Sequence, residues 1–398
     1  MTIEWMENWS QFRDHQDLGA RYELSNLGAT GGGAIEILPT GGPTSTPAGA
    51  HAPRSPAPGC LRVGKTGGIG NAASARVKFD IGGSETECII GFGFLWEGVS
   101  PTQTRNDDTI LFINNDPDMY LELNFGFSTN IDAGRGYIRV KQTTSIVWFD
   151  SEDDADSAGD PDFHALQYGQ WYYIEIKFLL HASAGAIEFR VNGETWWSET
   201  GLDTKRLSAT VLDNFSFGSG ITEPLSQTGH GAIYRISDLY VLSTAAGNEQ
   251  DFLYPWMIDT LYPDADTVEA DWTPQGGGTN VAEVDDNPQH DYDSTHNETN
   301  TNAFKDRFTT GQVVPESTFG RVMAVQVIAM AKDTLDTAVK TARVVVFENV
   351  TEGVGTTRTL TESEWQSLWH VFEENPDTTA SWLMADVEAA EIGYELVS

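Results

Sequence analysis

Between residues 60 and 247 the sequence is a succession of short segments in which apolar and polar residues alternate, and this pattern constrains the fold more than any other feature. A period of two puts successive side chains on opposite faces of a strand, so such a segment buries one face and wets the other. WYYIEIKFLL, which starts at Trp171, sets Tyr172, Ile174, Ile176 and Phe178 against Tyr173, Glu175 and Lys177. AIEFRVNGETWW follows, with Ile187, Phe189 and Val191 on one side and a reversal at Asn192-Gly193, where both residues accept positive φ. Val77, Phe79 and Ile81 alternate in the same way, and Cys88–Trp96, CIIGFGFLW, is mostly apolar with glycines. TILFIN and MYLELNF face each other across Asn114–Asp118, which has the composition of a hairpin loop. YIRV, SIVWFD, NFSFGS and AIYRISDLYVL complete the set. Strands of this length and spacing predict an antiparallel sandwich, with no helix-period segment of useful length among them.

The flanks differ. Residues 1–30 carry Trp5, Trp9, Phe12 and Tyr22 among polar residues, and 31–59 form a Gly/Pro/Ala/Ser run that reads as a long loop or arm with little to bury. Segments of that kind often order against a neighbouring subunit. STAAGNEQD (243–251) reads as a linker. Beyond it lie a long polar segment, Asp264–Asn300, and then FGRVMAVQVIAMAK, TARVVVFENV and EIGYELVS, all β in character. Val322, Ala324, Gln326, Ile328 and Met330 alternate in the first of these, and Leu360–Trp365 and Ser381–Ala390 read as short helical turns. The expected organisation is an N-terminal segment and arm (1–59), a β-sandwich (60–247) and a second, smaller β-sandwich (248–398). The 39 glycines and 16 prolines among 398 residues fit a turn-rich, all-β protein.

Charge narrows the function. Lys and Arg number 23 and Asp and Glu 59, a net charge of 23 − 59 = −36. Contact with phosphates needs a basic face, so neither nucleic acid nor an anionic membrane surface is expected as a partner. No apolar stretch of about 18 residues is present. MTIEWMENWSQFRDH lacks the basic and apolar regions of a signal peptide, so synthesis in a cytoplasm and a soluble product are expected. Cys60 and Cys88 are the only cysteines, too few for a disulfide framework, and are expected to be small buried thiols.

WYYIEIKFLLHASAGAIEFRVNGETWWS resembles the laminin-G-like branch of the concanavalin-A-like lectin/glucanase superfamily. Trp171, Ile174, Glu175, Gly185, Ile187, Val191, Asn192 and Gly193 occupy the places of its strand and hairpin motif, and Ile233, Asp238 and Tyr240 those of its final strand. The resemblance implies a jelly-roll sandwich and says little of activity. The C-terminal half resembles a module of structural proteins of tailed bacteriophages, through Leu261-Tyr262-Pro263, Asp264, Trp272, Ala324–Val327, Asn375-Pro376, Trp382, Val387, Ile392 and Gly393. Together these resemblances imply a virion protein that pairs a lectin-like sandwich with a second β-domain.

Glucanases on this fold use a strand-borne carboxylate cluster, E-x-D-x-x-E, in which one residue attacks and another protonates the leaving oxygen. No such cluster occurs; Tyr120-Leu-Glu122-Leu-Asn124 has one carboxylate, and Glu175 and Glu188 read as strand charges. Asp150, Glu152, Asp153, Asp154, Asp156, Asp160 and Asp162 place seven carboxylates in 13 positions, dense enough to hold Ca²⁺, although the EF-hand order is missing and a solvated acidic loop also fits. Asp285, Asp286, Asp291 and Asp293, with His290 and His296, form a second such stretch. No other cofactor is expected. Trp196 and Trp197 open the strand after the Asn192-Gly193 turn, so one of them points outward unless a bulge intervenes. An exposed indole stacks on the C–H face of a sugar, which makes these two the candidate glycan-binding residues; packing in the core and on a neighbouring subunit is the other reading.

The expectation from sequence is therefore a non-enzymatic protein on the surface of a tailed-phage virion, made in the host cytoplasm. It would be a capsid decoration or fibre, or a tail adhesin. Its partners would be other virion proteins, further copies of itself and host surface polysaccharide. The alternative is a polysaccharide depolymerase on a glucanase-like fold; a secreted carbohydrate-binding module is disfavoured by the missing leader.

Overall fold

The structure is a computed structural model that describes residues 2–7, 9, 23–25, 34–38, 59–64, 76–99, 105–115, 118–128, 135–142, 146–150, 166–205, 211–218, 232–243, 251–253, 258–285, 295–311, 322–334, 339–361 and 364–398. Apart from 11–21, which lie outside these, the chain divides into two compact units, one of Met1–Ser10 with Tyr22–Ile258 and one of Asp259–Ser398.

The first unit contains β1 (Thr2–Glu7), β2 (Glu23–Ser25), β3 (Ala34–Leu38), β4 (Cys60–Gly64), β5 (Arg76–Glu85), β6 (Glu87–Val99), β7 (Arg105–Asn115), β8 (Asp118–Ser128), β9 (Arg135–Gln142), β10 (Ile146–Asp150), β11 (Leu166–Gln167), β12 (Trp171–Leu179), β13 (Gly185–Val191), β14 (Glu194–Leu202), β15 (Leu212–Gly218) and β16 (Ala232–Ser243). They form two antiparallel sheets of eight strands, β14-β13-β12-β6-β16-β4-β3 with β1 on β16, and β10-β9-β8-β7-β15-β5-β2 with β11 on β9. This is the concanavalin-A-like jelly-roll sandwich. The alternation seen in sequence is its cause: Tyr172, Ile174, Ile176 and Phe178 of β12 and Ile187, Phe189 and Val191 of β13 are buried. Phe92 of the first sheet meets Phe217 of the second edge to face at 5.0 Å, and Phe79 stacks on Phe215 at 4.6 Å. Tyr234 spans the two layers, its hydroxyl donating to the carbonyl oxygen of Gly218 at 2.8 Å.

Both hairpin readings match the register. Asn115 pairs with Asp118, and Asn192 and Gly193 take φ of 53° and 78°. The N-terminal region departs from expectation. Ala34–Leu38, within the segment read as an arm, is β3, which pairs with β4 through Ile37 and Leu61. β1 pairs with β16, and Ile3 and Trp9 are buried. AIEIL carries its own alternation, which the surrounding glycines and prolines obscured. Cys60 and Cys88 are free and buried.

The second unit contains β17 (Pro263–Ala270), β18 (Thr273–Pro274), β19 (Asn297–Glu298), β20 (Lys305–Thr310), β21 (Val325–Ala331), β22 (Thr341–Glu348), β23 (Thr351–Val354), β24 (Arg358–Thr359), β25 (Gln366–Phe372), α1 (Met384–Ala389) and β26 (Glu391–Leu396). A six-stranded sheet, β17-β20-β26-β22-β23 with β24 on β22, packs against the β21–β25 pair. The core between them holds Val327, Leu368 and Phe372 from one layer and Val344, Val346 and Trp382 from elsewhere in the unit. It is the smaller β-sandwich. Ser381–Ala390 holds a helix as expected; the described residues of Leu360–Trp365 (360, 361, 364 and 365) are not helical, and Leu360 donates its N–H to the carbonyl of Lys340.

Candidate functional site

The outer face of the first sheet, the side away from the second sheet, is organised by two glycines of β6. Register places Gly91 between Glu175 of β12 and Tyr240 of β16, and Gly93 between Tyr173 and Ser237. A Cβ at Gly91 would lie 2.2 Å from Tyr240 Cε1, and one at Gly93 would lie 3.6 Å from the Trp171 ring. The missing side chain at Gly91 lets Tyr240 cross β6 from one side, and the Trp171 ring comes over Gly93 from the other at ordinary contact distance. Tyr240 thereby donates its hydroxyl to Glu175 Oε1 at 2.5 Å, and both residues are buried. Burial, with the charge and hydrogen bond of Glu175, pushes the Tyr240 phenol well above its usual range. A phenol held in that state is a hydrogen-bond donor and not a base.

Residues 251–253 and Ile258 contact this row. Leu253 donates its N–H to the Tyr240 hydroxyl at 3.2 Å, and Ile258 donates its N–H to Asp238 Oδ1 at 2.9 Å. Arg190 sits 3.9 Å from the centre of the Phe252 ring, a cation–π contact. Leu253 and Ile258 are thus bonded to side chains of β16, and Phe252 to one of β13.

The next row is not closed by these contacts. It runs Trp171 (β12), Leu95 (β6), Arg235 (β16), Arg62 (β4). Glu97, two residues along β6 from Leu95, accepts from Arg62 Nε at 2.7 Å and from Arg235 Nη2 at 2.8 Å. Burial pulls the Glu97 carboxyl upward, but the hydrogen bonds and charges of Arg235 and Arg62 outweigh it and hold the group below its usual range. The hydrogen bond to Glu97 raises Arg235 in turn. Burial pushes the Cys60 thiol beside them up to about 12, so it stays protonated. Trp171 and the three charged side chains are half-buried. At about 4.8 Å between strands, the indole and the two guanidinium groups span on the order of 14 Å. Such a face can stack a sugar ring and pair with carboxylates.

The residues singled out from sequence fall differently. A bulge between Phe189 and Arg190 pairs Phe189 with Trp197 and Arg190 with Thr195, which leaves Trp196 as the extra residue. Trp196 meets the Phe189 ring edge to face at 6.0 Å. The bulge removes the need for the two rings to face opposite ways, and both are half-buried. Asp150 ends β10; Glu152, Asp153, Asp154 and Asp156 lie outside the described residues, as do Asp286, His290, Asp291 and Asp293. Among the described residues no three of His, Cys, Asp and Glu gather as metal ligands would. Glu188 binds Arg190 on its own strand at 2.7 Å. Arg62, Glu97 and Arg235 were missed because they are 35 and 138 residues apart and carry no local motif.

In the second unit a polar cluster fastens residues 271–285 and 295–298. Asp306, fully buried on β20, accepts from the Trp272 N–H at 2.9 Å, from Asn280 Nδ2 at 2.8 Å and from the Tyr394 hydroxyl at 3.1 Å. Asn297 donates to the Tyr394 oxygen at 2.8 Å. Burial raises the Asp306 carboxyl against these donors. The cluster has no open side among these contacts and serves to hold the loop.

No protein-family model matches the chain, and no curated protein matches it. Solved structures do. The alginate lyase Aly36B is 14% identical, with a TM-score of 0.38, over 61% of this chain and 98% of its own. The endo-β-1,4-glucuronan lyase from the fungus Trichoderma reesei is 11% identical, with a TM-score of 0.38, over 61% of this chain and 96% of its own. The lectin UEA-II, complexed with galactose, is 11% identical, with a TM-score of 0.32, over 61% of this chain and 99% of its own. The expectation of a non-enzymatic protein is corrected here, because several of the similar structures are enzymes by name. It had rested on the missing glucanase carboxylates, and a lyase cleaves by elimination, without that hydrolytic pair.

Proposed function

We propose that the chain is a polysaccharide-processing protein whose first unit holds an acidic polysaccharide on the outer face of its first sheet. The row Trp171–Leu95–Arg235–Arg62 carries the proposal. An indole takes the C–H face of a sugar ring, and a guanidinium fork fits a carboxylate. Each guanidinium carries five N–H donors in a planar fork, the geometry that matches a carboxylate. Elimination beside a uronate carboxylate requires that the carboxylate be neutralised before a base removes the neighbouring proton. Arg235 and Arg62 are assigned the first role, and the base is left unassigned.

The setting on a tailed-phage virion, with other virion proteins and further copies of the chain as partners, rests on the resemblance of residues 261–398. A Ca²⁺ ion at 150–162 and glycan stacking on Trp196 or Trp197 rest on sequence in the same way.

The test is incubation of the full chain with alginate and with neutral dextran, reading both binding and the appearance of unsaturated chain ends. Alginate is expected to bind and be shortened, and Trp171→Ala to weaken binding about tenfold. Wild-type protein that neither binds nor shortens any uronate polymer would sink the proposal.

A further inference from the structure

The turn between β13 and β14 carries the one Asn-Gly pair of the sequence, Asn192-Gly193. Val191 pairs with Glu194 across it, and both central residues have positive φ, 53° and 78°. In an open chain this dipeptide is chemically labile. No side chain shields the glycine nitrogen, so it can close on the carboxamide carbon of the residue before it. Here that approach is obstructed. The β12–β13 ladder ends at the pair Ile174–Val191, and Asn192 prolongs it toward β12. Its N–H donates to the Tyr173 carbonyl at 2.7 Å, and its Oδ1 accepts from the Tyr173 N–H at 2.8 Å. β13 lies between β12 and β14, so the carboxamide is held on the β12 side while Gly193 leads the chain to β14. The anchor is itself fixed. Tyr173 is buried, its hydroxyl donates to the carbonyl of Asp238 at 3.0 Å, and its ring lies nearly parallel to that of Tyr240 at 6.4 Å. Asn192 and Gly193 are half-buried, so both keep contact with solvent.

We infer that Asn192-Gly193 is a latent deamidation site, held shut in the folded hairpin by the bond between Asn192 and Tyr173 and released when that bond opens. The only co-reactant is solvent water. The Gly193 nitrogen bonds to Asn192 Cγ, the Cγ–Nδ2 bond breaks, and Nδ2 leaves as ammonia with the proton that Gly193 gives up. The product is a cyclic imide. Water opens it at either carbonyl, its hydroxyl going to the carbon and its proton to the Gly193 nitrogen. Opening at Cγ gives aspartate; opening at the main-chain carbonyl gives isoaspartate. Reaction needs the nitrogen within about 3–3.5 Å of Cγ, so the Asn192 side chain must first swing off Tyr173, at the cost of a hydrogen bond to a buried residue. Aspartate keeps an oxygen for the Tyr173 N–H. Isoaspartate runs the main chain through Cβ and lengthens a two-residue turn whose geometry matches the twist of its strands, so the hairpin no longer closes as before. Each opening of this corner thus carries a chance of being recorded covalently. The corner is also where β12 runs past the end of β13, on the residues that begin with Trp171.

The experiment uses the full chain, incubated at mildly alkaline pH in buffer and in urea. Aspartate and isoaspartate at position 192 are followed by mass spectrometry of the peptide that carries it, and hydrogen exchange is read at the Tyr173 amide. Deamidation is expected to be at least about tenfold slower in the native protein than in urea, and slower by the same factor as the exchange of Tyr173. That match is the signature of a reaction that waits for the clamp. Asn192→Gly keeps both positive-φ positions and removes only the acceptor, so the Tyr173 amide should exchange about tenfold faster in it. Equal deamidation in buffer and in urea would show that the closed hairpin reacts, and overturns the inference. So does an unreactive Asn192 in urea, because the pair would then hold no latent chemistry. Slow native deamidation with Tyr173 exchange unchanged in Asn192→Gly overturns it as well, since something other than this bond would be holding the turn. Should Asn192→Gly fail to fold, the wild-type comparison decides: factors that differ beyond error between deamidation and exchange overturn the clamp.

Discussion

Each unit buries one carboxylate against one tyrosine, and the two pairs are built differently. In the first unit Glu175 is met by Tyr240 across Gly91, and the same phenol receives the N–H of Leu253. In the second, Asp306 collects a backbone N–H, an amide and a phenol, all from segments it must hold in place. Both phenols are pushed well above their usual range, first by burial and then by the neighbouring carboxylate. The first unit can confine its polar pair to one spot, since two eight-stranded layers with stacked phenylalanines supply the cohesion. The second has a small core and a long polar segment, and there a buried network does the holding that apolar area cannot. Polar burial is thus a local seal in one unit and a structural frame in the other.

The sharpest way to break this contrast is to crowd the two glycines beside the pairs. A Cβ at Gly393 would lie 1.9 Å from the carbonyl oxygen of Asp306, a backbone atom that no rotamer change can move aside. Gly393→Ala should therefore part β26 from β20 and cost more than about 3 kcal/mol, seen as loss of the second unit's amide protection in hydrogen exchange. Gly91→Ala meets the Tyr240 ring, which can be pushed off at the cost of its bond to Glu175, so a loss of about 2–3 kcal/mol with the fold kept is expected. Equal losses in the two variants would remove the contrast. A smaller effect should come from the phenols, about 1–3 kcal/mol each by chemical denaturation. Tyr240→Phe should expose 251–253 to protease, whereas Tyr394→Phe should leave those residues unchanged and loosen 271–285 and 295–298.

The smallest effect is in pH, and the sign differs between a charge-paired and a buried carboxyl. Asp306 is raised in the folded state, mainly by burial, so its contribution to stability is fullest below about 3.9 and is lost as pH rises through the folded value. Glu97 is lowered, its burial outweighed by Arg235 and Arg62, so its contribution is present above about 4.3 and is lost as pH falls through the folded value. Melting temperature followed from acid to neutral pH should change slope in opposite directions in Asp306→Asn and Glu97→Gln. A shared direction would mean that one of the two environments has been misread.

The sandwich was legible in the sequence because its information is local. The alternation of Tyr172, Ile174, Ile176 and Phe178 and the positive-φ pair Asn192-Gly193 each act within a few residues. What was hidden is non-local. β1 and β3 become strands only because β16 and β4 offer them edges. Arg62, Glu97 and Arg235 come together only when three strands align. The tryptophans at 196 and 197 were read as pointing to opposite faces unless a bulge intervened, and a bulge does intervene. On β21 the apolar residues occupy both faces, so periodicity marked a strand without saying which face was core.

The two glycines of β6 also act as a check on alignment. Both neighbours run in the same direction relative to β6, so a slip of that strand moves it past Tyr240 and Trp171 together. Shifted by two residues one way, Ile89 would come to lie under Tyr240; shifted the other way, Gly93 would satisfy Tyr240 but Leu95 would lie under Trp171. A shift by one would turn Ile90 or Phe92 out of the core. Every near-miss alignment thus fails at one aromatic crossing or the other, so β6 is read twice, from opposite sides, before the sheet can close.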